Sequence, residues 1–387
     1  MSDSFLPFAL PEIGEAEINE VVDSLRSGWI TTGPKAKRFE EDFSRFLGDE
    51  ALHSIAVNSA TSGLHLALEA LGVGPNDEVI IPSYTFTATA EVVRYLGATP
   101  VFVDVEEQSF NIDPSAFEKA ITENTKVVMP VHFAGLACNM TEILAIAKKH
   151  GIKVVEDAAH ALPCSHRGEM IGTLESDATV FSFYANKTMT TAEGGMLVTA
   201  NDEVAKRAKI MRLHGISRDA FDRYTSNKPS WSYEIVAPGC KYNMPDICAA
   251  IGIHQLKKLP DFLKKRELLA ENYNEALANL PVILPPKADF GSTHSWHLYP
   301  IRLQENCGIT RDMFIERMAE LGVGCSVHFI PLHLQPYWKE TFDLKEEDFP
   351  ISQRLFENEV SLPLYTKMTL EDQRRVIAAV NMVFENA

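Results

Sequence analysis

Short apolar runs recur along the first two hundred residues, and between them apolar residues return every three to four positions. Several runs are apolar throughout, which is typical of strands covered on both faces of a parallel sheet. The segments between them have the periodicity of amphipathic helices. We therefore predict an α/β architecture with a mainly parallel seven-stranded sheet. The predicted strands are residues 54–57, 78–81, 100–104, 126–130, 153–156, 178–182 and 196–199.

The pattern changes after residue 245. A long helical pattern runs from Asp246 to about Asn279, and shorter elements follow it. Since 387 residues usually form more than one domain, we predict a large α/β domain of residues 1–245 and a smaller α+β domain of residues 246–387. The large domain begins with a helix at 15–27. The small domain has predicted strands at 296–302 and 324–329 and predicted helices near 310–321, 351–358 and 369–385.

The charge balance limits the partners. Lys and Arg number 36 against 53 for Asp and Glu, so the net charge is −17. Such a field repels nucleic acid and anionic membrane surfaces, and we expect neither as a partner. An anionic small substrate would need a local cluster of hydrogen-bond donors.

The cysteines and the apolar runs predict the compartment. The six cysteines show no CxxC spacing and no Cys/His ligand pattern, so we expect free thiols in a reducing compartment and no metal site. No signal-peptide pattern and no run of about 18 apolar residues is seen. We therefore expect a cytoplasmic protein.

A lysine and an aspartate follow two of the predicted strands. Asp157 comes directly after a buried run, and Lys187 lies in a mostly uncharged segment after residue 182. Pyridoxal phosphate (PLP) chemistry needs a lysine that forms a Schiff base and a carboxylate that holds the protonated pyridine nitrogen. Partial desolvation lowers the pKa of a lysine and makes its amine nucleophilic. The alternatives are a surface lysine and an aspartate that caps a helix beginning at Ala158.

A phosphate-binding turn is predicted at residues 58–68. A strand ends at Val57, small hydroxyl-bearing residues follow, and an apolar helix begins. The free N–H groups and the positive dipole end of such a helix bind phosphate. An ordinary Ser/Thr helix cap is the alternative. The presence of Lys187 in the same chain favours the phosphate site, to which Ser182 would also contribute.

Two ring-bearing side chains are candidates for cofactor contacts. Phe86 follows the strand at 78–81, and active sites of open α/β sheets lie beyond the carboxyl ends of strands. It is a candidate to stack on the cofactor ring, with a plain core position as the alternative. His160 would lie one helical turn after Asp157 and face the same way. It would cover the ring or hydrogen-bond the cofactor, with a satisfied core histidine as the alternative.

Taken together, these motifs resemble those of the DegT/StrS-type sugar aminotransferases, which have the aspartate aminotransferase-like fold of type I PLP enzymes. The similarity covers nearly the whole chain, and the order of the motifs is more specific than any one of them. The matching segments are residues 28–34, 60–66, 82–86, 130–135, 156–160, 181–195, 239–247, 327–333 and 361–364.

The resemblance implies roles for individual residues. Lys187 is the Schiff-base lysine and the proton shuttle, and Asp157 holds the pyridinium nitrogen. Phe86 stacks on the ring, and His160 stands where many members carry Gln. The implied phosphate ligands are Ala60, Thr61 and Ser182. The cofactor alternates between PLP and pyridoxamine phosphate.

The resemblance also implies a homodimer with shared active sites. The segment around Lys241 and Asn243 reaches the cofactor phosphate of the neighbouring subunit, and many members carry Asn and Arg at these two positions. The candidate contacts to substrate are Thr32, Tyr184, Arg218, Arg223 and His328, with Arg212 as a further candidate for a nucleotide diphosphate.

The implied reaction moves an amino group from glutamate, which leaves as 2-oxoglutarate, to the 4-keto group of a nucleotide-linked sugar. Within the family the chain is most similar to members that aminate a UDP-4-keto-pentose to UDP-4-amino-4-deoxy-L-arabinose for lipid A modification in lipopolysaccharide biosynthesis. Phe86 and Tyr184 replace the Trp and His of those members. A 4-keto-6-deoxy hexose for O-antigen or another glycan is an alternative substrate.

Two different functions are also compatible with the fold: a PLP-dependent sugar dehydratase, which carries His in place of Lys187, and a non-catalytic regulatory homologue.

Overall fold

Parallel strands form the centre of the fold. The computed structural model describes residues 5–217 and 233–386. The strands up to residue 199 are β1 (His53–Val57), β2 (Glu78–Pro82), β3 (Thr99–Val103), β4 (Thr125–Val128), β5 (Lys153–Asp157), β6 (Ser165–His166), β7 (Glu169–Met170), β8 (Ala178–Ser182) and β9 (Gly195–Thr199). Among the described residues, seven of them pair in the order β1-β9-β8-β5-β4-β2-β3. In this sheet β9 runs antiparallel to both of its neighbours, and the other pairs are parallel, so the predicted mainly parallel seven-stranded sheet is confirmed.

Helices pack on both faces of this sheet. Alternate residues of a strand point to opposite faces: Ile80 packs with Phe39, Phe43 and other residues of one cluster, whereas Val79 belongs to the cluster on the other face. The helices up to residue 277 are α1 (Glu15–Ser27), α2 (Pro34–Leu47), α3 (Ala60–Ala70), α4 (Ala88–Tyr95), α5 (Pro114–Lys119), α6 (Met140–His150), α7 (Asp202–Met211) and α8 (Asp246–Leu277). The first cluster draws on α2, α6 and α8, and the second on α3, α4 and α7.

Helix α8 contributes to two cores. Its first half packs against the large sheet through residues such as Ile253, whereas Leu269 and Tyr273 in its second half pack in a separate cluster with the C-terminal elements. Those elements are β10 (Val282–Ile283), β11 (Tyr299–Leu303), α9 (Arg311–Glu320), α10 (Pro336–Phe342), α11 (Pro350–Asn358), β12 (Glu359–Leu362) and α12 (Leu370–Glu385). The domain boundary at residues 245 and 246 stays a prediction.

The strand predicted at 324–329 is wrong. Ser326 makes a single bridge to Ser361 of β12. The chain just before it pairs with the N-terminal segment instead, since Gly324 N–H donates to Leu6 O at 2.9 Å. The antiparallel partners of β11 are β10 and β12. An apolar pattern in the sequence indicates which residues are buried. It does not indicate which other segment will supply the backbone hydrogen bonds of a strand.

Two further properties concern the described ranges. Across residues 5–217 and 233–386, no helix has both the length and the apolar character needed to cross a bilayer. In the same ranges, His, Cys, Asp and Glu side chains form no group of three or more that is arranged to hold a metal ion.

Candidate active site

A cavity of about 520 Å³ lies where β5 and β8 end. The antiparallel strand β9 begins beside it, because Gly195 pairs with both Val57 of β1 and Ser182 of β8. Three strand ends therefore meet at one edge of the sheet, where open α/β folds place their ligands. The predicted residues that line the cavity are Ala60, Thr61, Phe86, Asp157, His160, Ser182, Tyr184, Lys187 and His328.

Asp157 is a buried carboxylate at the cavity wall. As the last residue of β5 it is 5% exposed. Its Oδ2 accepts a hydrogen bond from the Thr89 hydroxyl at 2.9 Å, and its Oδ1 accepts one from the N–H of Ala159 at 3.1 Å. Burial raises the pKa of Asp157, while these two hydrogen bonds and the charge of Lys187 oppose the increase. A buried carboxylate of this kind is stabilised by a cation placed in the cavity.

Lys187 is half-buried in the loop between β8 and β9, where its N–H donates to Tyr184 O at 3.0 Å. Burial lowers the pKa of its ammonium group to about 8, although the carboxylate of Asp157 opposes this change. Roughly a tenth of such a group is neutral near pH 7, and the neutral amine is the nucleophilic form. A plain surface lysine is therefore excluded.

The first turn of α3 forms a cradle for an anion. The Ser59 hydroxyl accepts the N–H of Ser62 at 3.1 Å, which caps the helix. The N–H groups of Ala60 and Thr61, the first two helical residues, have no partner of their own within the helix. Gly195 lies against this turn, since a Cβ there would stand 2.7 Å from the nitrogen of Ala60. Only a glycine permits this close approach. A larger residue would crowd the turn whose N–H groups could bind a phosphate.

His160 is held by a turn. The chain after Asp157 forms a turn in which Ala161 N–H donates to Ala158 O at 2.9 Å, so the alternative of a helix beginning at Ala158 is wrong. Nδ1 of His160 accepts the N–H of Ala134 at 3.2 Å. Burial lowers the pKa of His160 well below its usual range, and the nearby Lys187 acts in the same direction. The imidazole is therefore neutral.

His297 lines the cavity but was not predicted. Its ring centroid is 4.4 Å from that of His160, and burial holds its pKa well below the usual value. Neither ring nitrogen has a hydrogen-bond partner among the described residues. No local pattern points to this residue, because it precedes β11, far along the chain from β5 and β8.

Phe86 and Tyr184 stand at the rim of the cavity. They are 58% and 49% exposed, so a core position for Phe86 is wrong. The ring centroid of Phe86 is 5.9 Å from that of Phe329, which also lines the cavity. An exposed aromatic face beside Asp157 and Lys187 is suited to a planar ring.

Thr32, Lys241 and Asn243 form a cluster apart from this cavity. Lys241 Nζ donates to Asn243 Oδ1 at 2.6 Å, Asn243 donates its amide to the hydroxyl of Thr32, and that hydroxyl donates to Met244 O at 2.7 Å. The predicted contact of Lys241 and Asn243 with a neighbouring subunit stays a prediction. Arg218 and Arg223 lie outside the described residues.

Arg212 does not fit its suggested role in nucleotide binding. The residue is 6% exposed, and its guanidinium donates to Ala56 O at 2.9 Å and pairs with Glu40. It follows α7 directly, where that helix packs against β1. The buried guanidinium is therefore paired with a partly buried carboxylate, and the prediction for Arg212 is wrong.

The cavity fits pyridoxal phosphate in three places. The carboxylate of Asp157 suits a protonated ring nitrogen, the amides of Ala60 and Thr61 suit a phosphate, and the amine of Lys187 suits an aldehyde. These groups have different chemistry and face one cavity. A ligand with all three functions therefore matches this donor set better than a simple anion does.

Comparisons with known proteins agree with this geometry. The model of the DegT/DnrJ/EryC1/StrS aminotransferase family matches residues 11–381. The chain is 50% identical over 382 residues to the uncharacterized protein MJ1066 of Methanocaldococcus jannaschii, with 98% of each protein covered. It is 47% identical over 385 residues to the spore coat polysaccharide biosynthesis protein SpsC of Bacillus subtilis, with 99% of this chain and 98% of SpsC covered.

A solved structure extends the similarity to the fold and the cofactor. The putative sugar aminotransferase Spr1654 of Streptococcus pneumoniae, in its PMP form, has a TM-score of 0.92 and 37% identity, with 98% of this chain and 99% of that chain covered. Its PLP form has a TM-score of 0.91 and 36% identity, with 99% of each chain covered. The fold is that of the type I PLP enzymes, and the cofactor is pyridoxal phosphate. The chain belongs to the DegT/DnrJ/EryC1/StrS family of sugar aminotransferases.

Proposed function

We propose that this protein transfers an amino group from glutamate to the 4-keto group of a nucleotide-linked sugar. The observation that carries the proposal is the pairing of a lysine of lowered pKa with a buried carboxylate in one cavity. When bound, pyridoxal phosphate withdraws electrons from the carbon that gains or loses a proton. Lys187 and Asp157 are then the two catalytic residues.

Each residue has a distinct task in this proposal. Asp157 holds the ring nitrogen and keeps it protonated, and the amides of Ala60 and Thr61 hold the phosphate with Ser182. Lys187 would be the Schiff-base lysine, and its freed amine would move a proton from Cα of the amino donor. Proton transfer by a positioned base contributes about 10²–10⁴-fold to the rate. Glutamate and the keto-sugar use the same cavity in turn, which gives ping-pong kinetics.

Two sugar substrates are proposed for testing. The resemblance of the sequence motifs favours a UDP-4-keto-pentose, the precursor of UDP-4-amino-4-deoxy-L-arabinose. A nucleotide-linked 4-keto-6-deoxy hexose for O-antigen or another glycan is the second candidate. The similarity to a protein named for spore coat polysaccharide biosynthesis supports a role in making a polysaccharide. Phe86 and Tyr184 stand at the rim where the sugar would enter. A dehydratase or a non-catalytic homologue is disfavoured, because Lys187 is retained and lies inside the cavity.

A homodimer is part of the proposal. The cluster of Thr32, Lys241 and Asn243 carries an ammonium group and an amide on a surface apart from the cavity of its own subunit. In the proposed dimer this surface completes the site of the partner. Lys241 would supply positive charge to the cofactor phosphate of the partner subunit, in a chain of net charge −17.

The proposal is tested by following the absorption of the bound cofactor. Adding glutamate should bleach the visible band of the purified protein, and adding the correct nucleotide-linked keto-sugar should restore it. We expect Lys187→Ala to keep its affinity for the cofactor and to lose turnover. The matched control is Lys264→Ala, which removes an exposed lysine of α8. A Lys187→Ala protein with more than a few per cent of normal activity would contradict the assignment.

A further inference from the structure

A buried carboxylate lies behind the part of the cavity wall that His328 forms. Glu359, the first residue of β12, is 0% exposed, and so is Ser361 two residues later. Oε1 of Glu359 accepts the hydroxyl of Ser361 at 2.5 Å, and Oε2 accepts the backbone N–H of His328 at 3.0 Å. Nδ1 of His328 is 3.0 Å from the same hydroxyl. A continuous chain of hydrogen bonds therefore links the cavity to a buried acid.

The number of protons shared by His328, Ser361 and Glu359 fixes the tautomer of His328. A serine hydroxyl has one proton to donate. While Ser361 donates that proton to ionised Glu359, it accepts one from His328, so the imidazole carries its proton on Nδ1. Its other nitrogen, Nε2, is then an unprotonated acceptor on the opposite edge of the ring. When Glu359 is protonated, each hydrogen bond reverses its direction and Nε2 carries the proton.

The surroundings of Glu359 bring its pKa close to neutral pH. Burial raises the pKa of Glu359 to about 8, although the hydrogen bonds from Ser361 and His328 and the charge of Arg311 oppose the increase. Burial lowers the pKa of His328 to about 3, and the charge of Lys187 acts in the same direction. The other titratable groups near Glu359 are Tyr84, Cys325 and its cross-strand neighbour Arg302. Of the three hydrogen-bonded side chains, Glu359 is thus the one that changes its charge near neutral pH.

We propose that Ser361 and Glu359 are positioning residues of a proton relay through which His328 takes a proton from the ammonium group of the amino donor. An N–H bond of the ammonium breaks and the proton binds Nε2 of His328. The proton on Nδ1 moves to Oγ of Ser361, and the hydroxyl proton moves to Oε1 of Glu359. The imidazole is neutral before and after the transfer, and the donor is left as the neutral amine that can act as a nucleophile.

The relay lets His328 accept a proton without becoming a buried cation. A buried imidazole would have to become a cation in order to accept a proton, and desolvation makes that form costly. With the relay, the transferred proton neutralises a buried carboxylate instead, so no buried cation forms. The inference rests on the proposed function only for the source of the proton. The tautomer of His328 is a property of the protein without substrate.

The first test measures the tautomer of His328 directly. The protein without amino donor is labelled with ¹⁵N-histidine, and the His328 signals are identified by their loss in His328→Asn. We expect the proton on Nδ1 at high pH and on Nε2 at low pH, with a midpoint near the pKa of Glu359, about 8. The switch should disappear in Ser361→Ala and Glu359→Gln and remain in Ser361→Thr, which keeps the hydroxyl. Ser326→Ala, on the neighbouring segment, is the matched control. A tautomer that does not change with pH in the wild type, or a switch that survives Ser361→Ala, would overturn the relay.

The second test separates the relay from a structural role. We expect Ser361→Ala to slow the half-reaction with glutamate by about 100-fold, the lower end of the range for proton transfer by a positioned base. The loss should fall on the rate constant more than on the apparent affinity for glutamate, and Ser361→Thr should restore the rate. An unchanged rate in Ser361→Ala would overturn the catalytic part of the inference. A wild type that does not respond to glutamate at all would contradict the proposed function, and the tautomer measurement would still decide on the relay.

Discussion

The hydroxyl of Thr89 donates to Oδ2 of Asp157 across 2.9 Å, and the two residues are 68 positions apart in the sequence. Thr89 lies in the first turn of α4, and Asp157 ends β5. The hydrogen bond lowers the cost of keeping a carboxylate ionised in a buried position. An ionised Asp157 is what a protonated ring nitrogen requires, so Thr89 acts on the cofactor through Asp157.

Replacing Thr89 with valine should therefore weaken cofactor binding. A hydrogen bond to a charged group contributes about 1.5–3 kcal/mol, which corresponds to a loss of affinity of roughly 10- to 100-fold. Titration of the apo protein with PLP measures this change. Thr89→Ser keeps the hydroxyl and should bind nearly as the wild type does. Equal affinity for Thr89→Val and wild type would show that the hydrogen bond does not support the charge of Asp157.

The reaction of the apo protein with PLP should depend on pH through Lys187. Because burial depresses the pKa of this lysine to about 8, the neutral amine appears as the pH rises through 8 and not through the ordinary value of 10.5. The rate of cofactor uptake should rise up to that point and then level off. In Asp157→Asn the midpoint should move to lower pH, since the carboxylate favours the ammonium form. Stopped-flow absorption against pH makes the measurement, and a midpoint near 10.5 would contradict the assigned burial.

Adding a methyl group at Gly195 should disrupt the phosphate cradle. A Cβ at this position would stand 2.7 Å from the nitrogen of Ala60 and 2.9 Å from the carbonyl oxygen of Phe181, both of them backbone atoms. Either β9 or the first turn of α3 must then shift. We expect Gly195→Ala to lose at least tenfold in affinity for PLP and to unfold at a lower temperature. Gly74→Ala, at a site with open space around it, is the matched control. Wild-type affinity in Gly195→Ala would place the phosphate elsewhere.

The ion pair of Arg212 and Glu40 should matter for stability and not for substrate binding. Glu40→Gln leaves the buried guanidinium of Arg212 without its partner charge. An uncompensated buried charge costs up to about 3–5 kcal/mol, so the variant should clearly lower the free energy of unfolding. Glu371→Gln breaks an exposed pair with Arg374 and should cost at most about 1 kcal/mol. Denaturant unfolding measures both. The folded fraction of Glu40→Gln should keep the KM of the wild type for the sugar nucleotide. A raised KM would return Arg212 to the substrate site.

Features encoded in neighbouring residues were predictable from the sequence. The strand pattern follows from burial on two faces, and the seven strands lie within one or two residues of their predicted positions. Asp157, Lys187 and the turn at Ala60 follow strand ends, and in a parallel sheet such ends meet at one edge. These three features could therefore be predicted together without any knowledge of their distances in space.

Contacts between distant segments were decided by the tertiary structure. The sequence places Arg212 next to a polar stretch, whereas the fold places it beside Glu40, 172 positions away. His297 reaches the cavity from a distant part of the chain. Gly324 pairs with Leu6 of the N-terminal segment and Ser326 pairs with Ser361 of β12, so residues 324–329 do not form the predicted strand. Glu359 became a group of raised pKa because folding buried it against His328 and Ser361.

The sequence by itself determined the sheet and the chemical type of the site, because local patterns indicate which residues are buried and where strands end. The partners, charges and tautomers of the side chains depend on neighbours that only the folded chain supplies.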